Sequence, residues 1–315
     1  MPTIHTLEPE RRTLHGHFAR DLAPALTIDP GDTVVFRTLD VGWGLEPFTG
    51  DPDRTRRTFP GRVSPEDDGH ALTGPVAIRG ARPGMTLEVR IEAIEPGTYG
   101  ACFAGGRSTP VNDRLGIARE FVTHVYELDP AARTGRNQLG HVVVLHPFMG
   151  ILGVAPDEPG VLSTIPPRPG GGNIDCRELV AGSTLYLPVA VDGALFSTGD
   201  GHAAQGDGEV SGTAIECPMQ RVELTFALRE DMPLRTPVAQ TPAGWITMGF
   251  DADLDEAMLL ALEAMVDLVA AREGVGRADA LALCSVAVDL RVTQVVNQVC
   301  GVHAVLAPDA LVSSS

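Results

Sequence analysis

The stretch Gly199 to Glu209, GDGHAAQGDGE, sets three carboxylates, a histidine and a glutamine among four glycines. In extended chain, residues two apart point to the same side, with Cα atoms about 6 to 7 Å apart. Asp200 with His202 and Asp207 with Glu209 are spaced in that way, as is Asn173 with Asp175 upstream. Such pairs can converge on one ion, and the flanking glycines let the backbone bend to bring ligands together. A mixed imidazole and carboxylate set suits Zn2+, with three protein ligands and an open position for water. An oxygen-richer shell suits Ca2+ or Mg2+. The same residues also suit a polar loop whose carboxylates cap backbone amides, and spacing leaves both readings open.

Other chemistry is less well supported. His70, in EDDGHALTGPVAIRG, follows a run of acids and a glycine, a setting closer to a functional loop than to a core strand. His146, at the end of an apolar run before Pro147, is a weaker ligand candidate. No G-x-S-x-G elbow occurs, and Phe196-Ser197-Thr198-Gly199 lacks the strand-turn-helix context that exposes a serine nucleophile. Cys176 and Cys217 sit beside no obvious general base in the sequence. The chain has no lysine, every basic residue being arginine, which removes P-loop, Schiff-base, Ser-Ser-Lys and Glu-Lys-Cys chemistries.

These residues must be positioned by a chain rich in turns, with 35 glycines, 25 prolines and 5% aromatics in 315 residues. That balance favours many short strands, and the length is ample for a sizeable core. Apolar and polar residues alternate cleanly over Thr86 to Ile94 and Arg221 to Leu228, the pattern of half-buried antiparallel strands. Asp32 to Arg37, His141 to Leu145 and Ser183 to Val189 read as further strands. Near residue 251 the period changes. Asp253 is placed to cap a helix of about five to six turns, with Met258, Leu262, Met265, Val266 and Val269 on one face and a stop at Gly274. A second helix is expected over Arg277 to Ala287, then a final strand over Val288 to Val292. The fold class is therefore mainly β (α+β), a β body carrying a C-terminal helical pair that returns to a strand. Pro166 to Gly172, PPRPGGG, reads as linker or as site loop.

Several long motifs resemble the acetamidase/formamidase family: GHALTGPV from Gly69, HPFMGILGVAP from His146, STIPPRPGGGNID from Ser163, STLYLPV from Ser183, the stretch Ala194 to Glu216, and DLRVTQVVN from Asp289. They run in order over nearly the whole chain. The resemblance implies hydrolysis of a short aliphatic amide to a carboxylic acid and ammonia, on a β-sandwich, jelly-roll-like scaffold with a bound divalent metal. A single unit over 1–315 is expected, with sub-lobes 1–136, 137–250 (holding the metal site) and 251–315. An amide carbonyl is a poor electrophile, so its oxygen must be polarised, a nucleophile supplied near neutral pH and the departing amine protonated. Without lysine or a credible serine or cysteine nucleophile, metal-activated water is the expected route. His70, Asp175, Asp200 and His202 are assigned as metal ligands and Glu209 as general base. Asp207 is expected to orient His202 or the loop, and Asn173 and Gln205 to hydrogen-bond the substrate amide.

The net charge of -17 opposes approach to nucleic acid or anionic lipid. No apolar leader or run of 18 apolar residues is present, and five scattered cysteines without a CxxC argue against a disulfide framework or a Cys-rich zinc site. A cytoplasmic enzyme is expected. A homo-oligomer is also expected, with the apolar helix as one available contact surface, although core burial is its first use. Two alternatives remain: a hydrolase of larger or cyclic amides, and a non-catalytic, ion-stabilised β module.

Overall fold

A computed structural model describes residues 2–50 and 55–311. The alternating segments form strands where the pattern places them: Thr33–Thr38, Thr86–Pro96, Val142–Val144, Thr184–Pro188 and Met219–Arg229. They assemble into two large sheets. The first runs Ile4–Leu7, Thr33–Thr38, Met219–Arg229, Thr86–Pro96, Thr184–Pro188, Val238–Thr241, Gly244–Asp251, Cys300–Leu306 and Val288–Gln294. The second is built around Phe196–His202, whose residues are all buried. One edge of that strand pairs with Phe148–Gly153, and the other pairs first with Leu72–Ile78 and then with Glu216–Cys217. Burial on both faces makes Phe196–His202 a central strand.

Apolar side chains of both sheets fill a shared core, as a sandwich requires. Phe196 of the second sheet meets Phe36 and Phe226 of the first edge-on, at ring-centroid distances of 6.2 and 5.1 Å. This packing fixes the central strand, and with it the glycine-rich segment that follows.

The C-terminal helices occur as expected, over Leu254–Glu273 and Arg277–Ala287. Asp253 accepts from the Asp255 and Glu256 amides as N-cap, and Gly274 ends the first helix in the left-handed region at φ 66°. The buried face differs from the expected one. Ala257 and Ala261 are fully buried beside Met265, Val266 and Val269, while Met258 and Leu262 are only partly covered. The reason is close approach: a Cβ on Gly249 of the underlying strand would lie 2.1 Å from the Ala257 carbonyl oxygen. A helix seated that tightly on a strand needs small residues in the seam. The chain then returns not as one strand but as a hairpin, Val288–Gln294 with Cys300–Leu306, which closes the first sheet. Its turn becomes part of the site.

Candidate active site

Four segments bring their polar residues to the end of the central strand. Asp200 and His202 come from Phe196–His202, and His202 pairs in register with Glu216 on one side and Phe148 on the other. Asp175 follows the short strand Gly171–Asn173, and Asn297 comes from the C-terminal hairpin turn. Gln294 shapes that turn, its side-chain oxygen accepting from the Val296 and Asn297 amides.

Asp175, Asp200 and His202 each offer an atom within 4.8 Å of the others, and His202, Glu209 and Glu216 form a second set on the same imidazole. His202 Nε2 lies 3.3 Å from Glu216 Oε2 and 3.5 Å from Asp200 Oδ2, and Nδ1 lies 3.9 Å from Asp175 Oδ1. Asn297 Nδ2 donates to Asp175 Oδ2 at 2.6 Å and to Glu209 Oε2 at 3.4 Å. Phe148 packs edge-on against the His202 ring at 5.1 Å.

The backbone is held in an uncommon state at three of these carboxylates. Asp175, Asp200 and Glu209 have φ of 55°, 58° and 45°, the left-handed region that side chains other than glycine rarely occupy and that Asp and Asn tolerate best. Such conformations persist where the surroundings over-determine them, and they concentrate at functional sites. Gly150, on the neighbouring strand, gives the cluster its room. A Cβ there would lie 2.7 Å from Asp200 Oδ2 and 2.8 Å from both Asp175 Oδ1 and His202 Cε1.

Burying these acids together strains their ionisation. Burial pushes Asp175 well above the usual carboxylate range, and the Glu209 carboxylate adds to the rise. Burial also pushes Glu209 up to about 7 and Glu216 up to about 8, although the His202 imidazole pulls both down. For Asp200, burial acts upward, but the charges of His202 and His70 hold it below its ordinary value. His202 is the reverse case: burial acts downward, and Glu216 with Asp200 holds the ring well above the ordinary imidazole range. The cluster thus gathers more acids than its imidazoles offset, and holding them buried requires protons or a cation.

A divalent metal fits this donor set. Asp175 Oδ1, Asp200 Oδ1, both His202 nitrogens and Glu216 Oε2 are buried without a hydrogen-bond partner, whereas buried polar atoms are as a rule satisfied. The atoms are oxygens and imidazole nitrogens, the ligands of Zn2+ and of harder divalent ions.

The remaining expected residues fall at different distances. His70 belongs to neither set, but it stands in electrostatic reach of Asp200 and His202, with its Nδ1 2.7 Å from Thr164 Oγ1. Burial lowers its pKa, His202 adds to that, and Asp200 opposes it. Gln205 donates to the Asp175 carbonyl at 2.9 Å, and Asn173 Nδ2 donates to the Ile165 carbonyl at 3.1 Å. The oxygens of both amides are buried and unpartnered. Asp207 is not brought to the cluster: it lies exposed, in an ion pair with Arg177 at 3.3 Å. Gly208 and Glu209 both have positive φ, which breaks the extended alternation that would have set Asp207 beside Glu209. Glu216 and Asn297 are site residues that spacing did not single out. The one signal for Glu216 was a carboxylate flanked by Ile215 and Cys217 in an apolar run.

Comparison with known proteins places the chain in a family. The model of the Acetamidase/Formamidase family matches residues 3–162 and 159–312. A Schizosaccharomyces pombe protein named "Putative formamidase" is 28% identical, with 78% of this chain and 74% of that protein covered. The crystal structure of an acetamidase from Bacillus halodurans superposes with a TM-score of 0.82 at 28% identity, covering 96% of this chain and 97% of that one. An acetamidase from Yersinia enterocolitica gives a TM-score of 0.84 at 27% identity, covering 99% and 94%.

Proposed function

Because the chain belongs to the acetamidase/formamidase family, enzymes that hydrolyse the carbon–nitrogen bond of linear amides, we propose that it converts a short aliphatic amide of the formamide or acetamide type to its acid and ammonia. We assign this chemistry to the cluster around His202, with a divalent metal, Zn2+ before Ca2+ or Mg2+, as cofactor. The observation that carries the reading is the set of buried, unpartnered oxygens and nitrogens on Asp175, Asp200, His202 and Glu216. Asp175, Asp200 and His202 would hold the ion, with His70 alongside. When bound, such an ion supplies Lewis acidity toward the amide oxygen and toward water.

The protein's own groups do the rest. Glu209 is the general base, taking a proton from the attacking water and delivering it to the departing amine; burial tunes it toward neutrality, where a general base works best. Asn297 positions Glu209 and Asp175 together through its amide. Asn173 and Gln205 have their amino ends tied to backbone carbonyls, which leaves their oxygens to accept from the substrate NH2 group. Asp207 acts on the loop through Arg177. No described helix is long and apolar enough to cross a membrane, and the described cysteines are all unpaired; we place the enzyme in the cytoplasm. The exposed valines of the outer strand, Val142 and Val144, support a homo-oligomer.

The test is ammonia release from formamide and acetamide beside a heat-inactivated control, followed by chelation. Metal-free protein should lose activity and regain it with added zinc. Full activity in protein verified to be metal-free would end the metal-dependent reading. A series of amides of increasing size, lactams included, identifies the substrate class; preference for a lactam would replace the short-amide assignment.

A further inference from the structure

A third donor set begins one residue beyond Asp175. Cys176, Glu178 and His303, all buried, each offer an atom within 4.8 Å of the others. Cys176 Sγ lies 3.4 Å from Glu178 Oε2, and His303 Nε2 lies 3.4 Å from the same oxygen. Bonds of about 2.0 Å to nitrogen or oxygen and about 2.3 Å to sulfur put neighbouring ligands of a tetrahedral ion about 3.3 to 3.6 Å apart. Both separations match edges of such a tetrahedron.

The surroundings are those of a coordinating site. His303 is fully buried and its Nε2 has no hydrogen-bond partner. Its other nitrogen is fixed by Thr293 Oγ1 at 2.8 Å, and the second oxygen of Glu178 accepts from Arg291 Nη1 at 3.0 Å. Metal-bound imidazoles and carboxylates are oriented in this way, one atom on the ion and the other held by an outer group. We propose that Cys176, Glu178 and His303 bind a second metal ion, a thiophilic divalent ion of the zinc class, at a site separate from the cluster around His202. The thiolate selects against Ca2+ and Mg2+.

The position gives the ion a task. Cys176 follows Asp175 directly and Glu178 lies two residues beyond Cys176, while His303, Arg291 and Thr293 belong to the C-terminal hairpin whose turn carries Asn297. An ion here clips the Asp175 loop to that hairpin and holds the Asn297 to Asp175 hydrogen bond in register, adding its binding energy to folding.

The proposal does not rest on the catalytic assignment, and it is tested without an activity assay. X-ray absorption of the zinc-loaded, full-length protein should require one sulfur ligand at about 2.3 Å. Cobalt exchange should give a thiolate-to-metal charge-transfer band that vanishes in Cys176→Ser and persists in Asp200→Asn/His202→Asn. Cys176→Ser should also hold one zinc fewer per chain. A zinc shell of nitrogen and oxygen alone, or a charge-transfer band surviving Cys176→Ser, overturns the proposal. If that variant does not fold, the absorption measurement on the unaltered protein decides.

Discussion

Gly150→Ala adds a single methyl group to the wall of the His202 cluster. The glycine sits within the strand Phe148–Gly153 without a left-handed φ, so alanine suits the backbone and the effect is steric. The new Cβ would meet Asp200 Oδ2 at 2.7 Å and Asp175 Oδ1 and His202 Cε1 at 2.8 Å. Each must retreat by about 0.6 to 0.7 Å to reach ordinary contact near 3.4 Å. The neighbours cannot yield freely, because Asp175 and Asp200 are already confined to left-handed backbone and the central strand is buried on both faces. Overpacking of this kind costs about 1 to 3 kcal/mol of stability. Displacing reacting groups by a good part of an ångström costs up to about a hundredfold in rate. We therefore expect kcat/KM on the preferred amide to fall ten- to a hundredfold and bound metal to become easier to strip, in protein that still folds. Steady-state kinetics, metal analysis after graded chelation and a thermal melt measure all three. A folded Gly150→Ala enzyme with unchanged kcat/KM would show that the cluster is not where the amide reacts.

Three further outcomes follow from the same geometry. Glu209→Gln should lower kcat about a hundredfold or more with metal content unchanged, and a near-normal rate would move the base elsewhere. Asn297→Ala should lower kcat about ten- to a hundredfold with little change in KM, since the amide positions Asp175 and Glu209 without binding substrate; a change confined to KM would contradict that role. His15 supplies an acid limit to stability. Burial depresses its pKa from 6.5 to about 4, and its Nε2 lies 3.0 Å from Ser197 Oγ. The unfolded chain then binds a proton that the folded chain refuses. The contribution of His15 to stability is full above about pH 6.5 and is lost, by about 3 kcal/mol, as the pH drops toward 4. Chemical denaturation of the unaltered protein and of His15→Gln across that range should give a stability difference that changes by that amount; a difference that does not vary with pH would assign the acid loss to other groups.

Much of the scaffold was legible because its signals are local. Alternation marked the strands, and Asp253 with Gly274 marked both ends of the long helix. What local pattern does not carry is which strand lies beside which. Glu216 reaches His202 through an antiparallel register, and Asn297 arrives on a hairpin turn far along the chain, so neither stood out from spacing. Asp207 shows the converse, since period-two reasoning assumes extended backbone and fails where Gly208 and Glu209 turn left-handed. The buried face of the long helix likewise depended on a glycine in another element.

The hairpin turn that carries Asn297 also sets an order of events during synthesis. The ribosome delivers Asp175, Asp200, Glu209 and Glu216 well before it delivers Asn297 and His303. Until those later residues emerge, the acids lack the amide that bridges two of them, and the edge of Gly244–Asp251 that will pair with Cys300–Leu306 stands open. A nascent chain paused at that point would display an incomplete site and an unpaired strand, the kind of surface that chaperones shield.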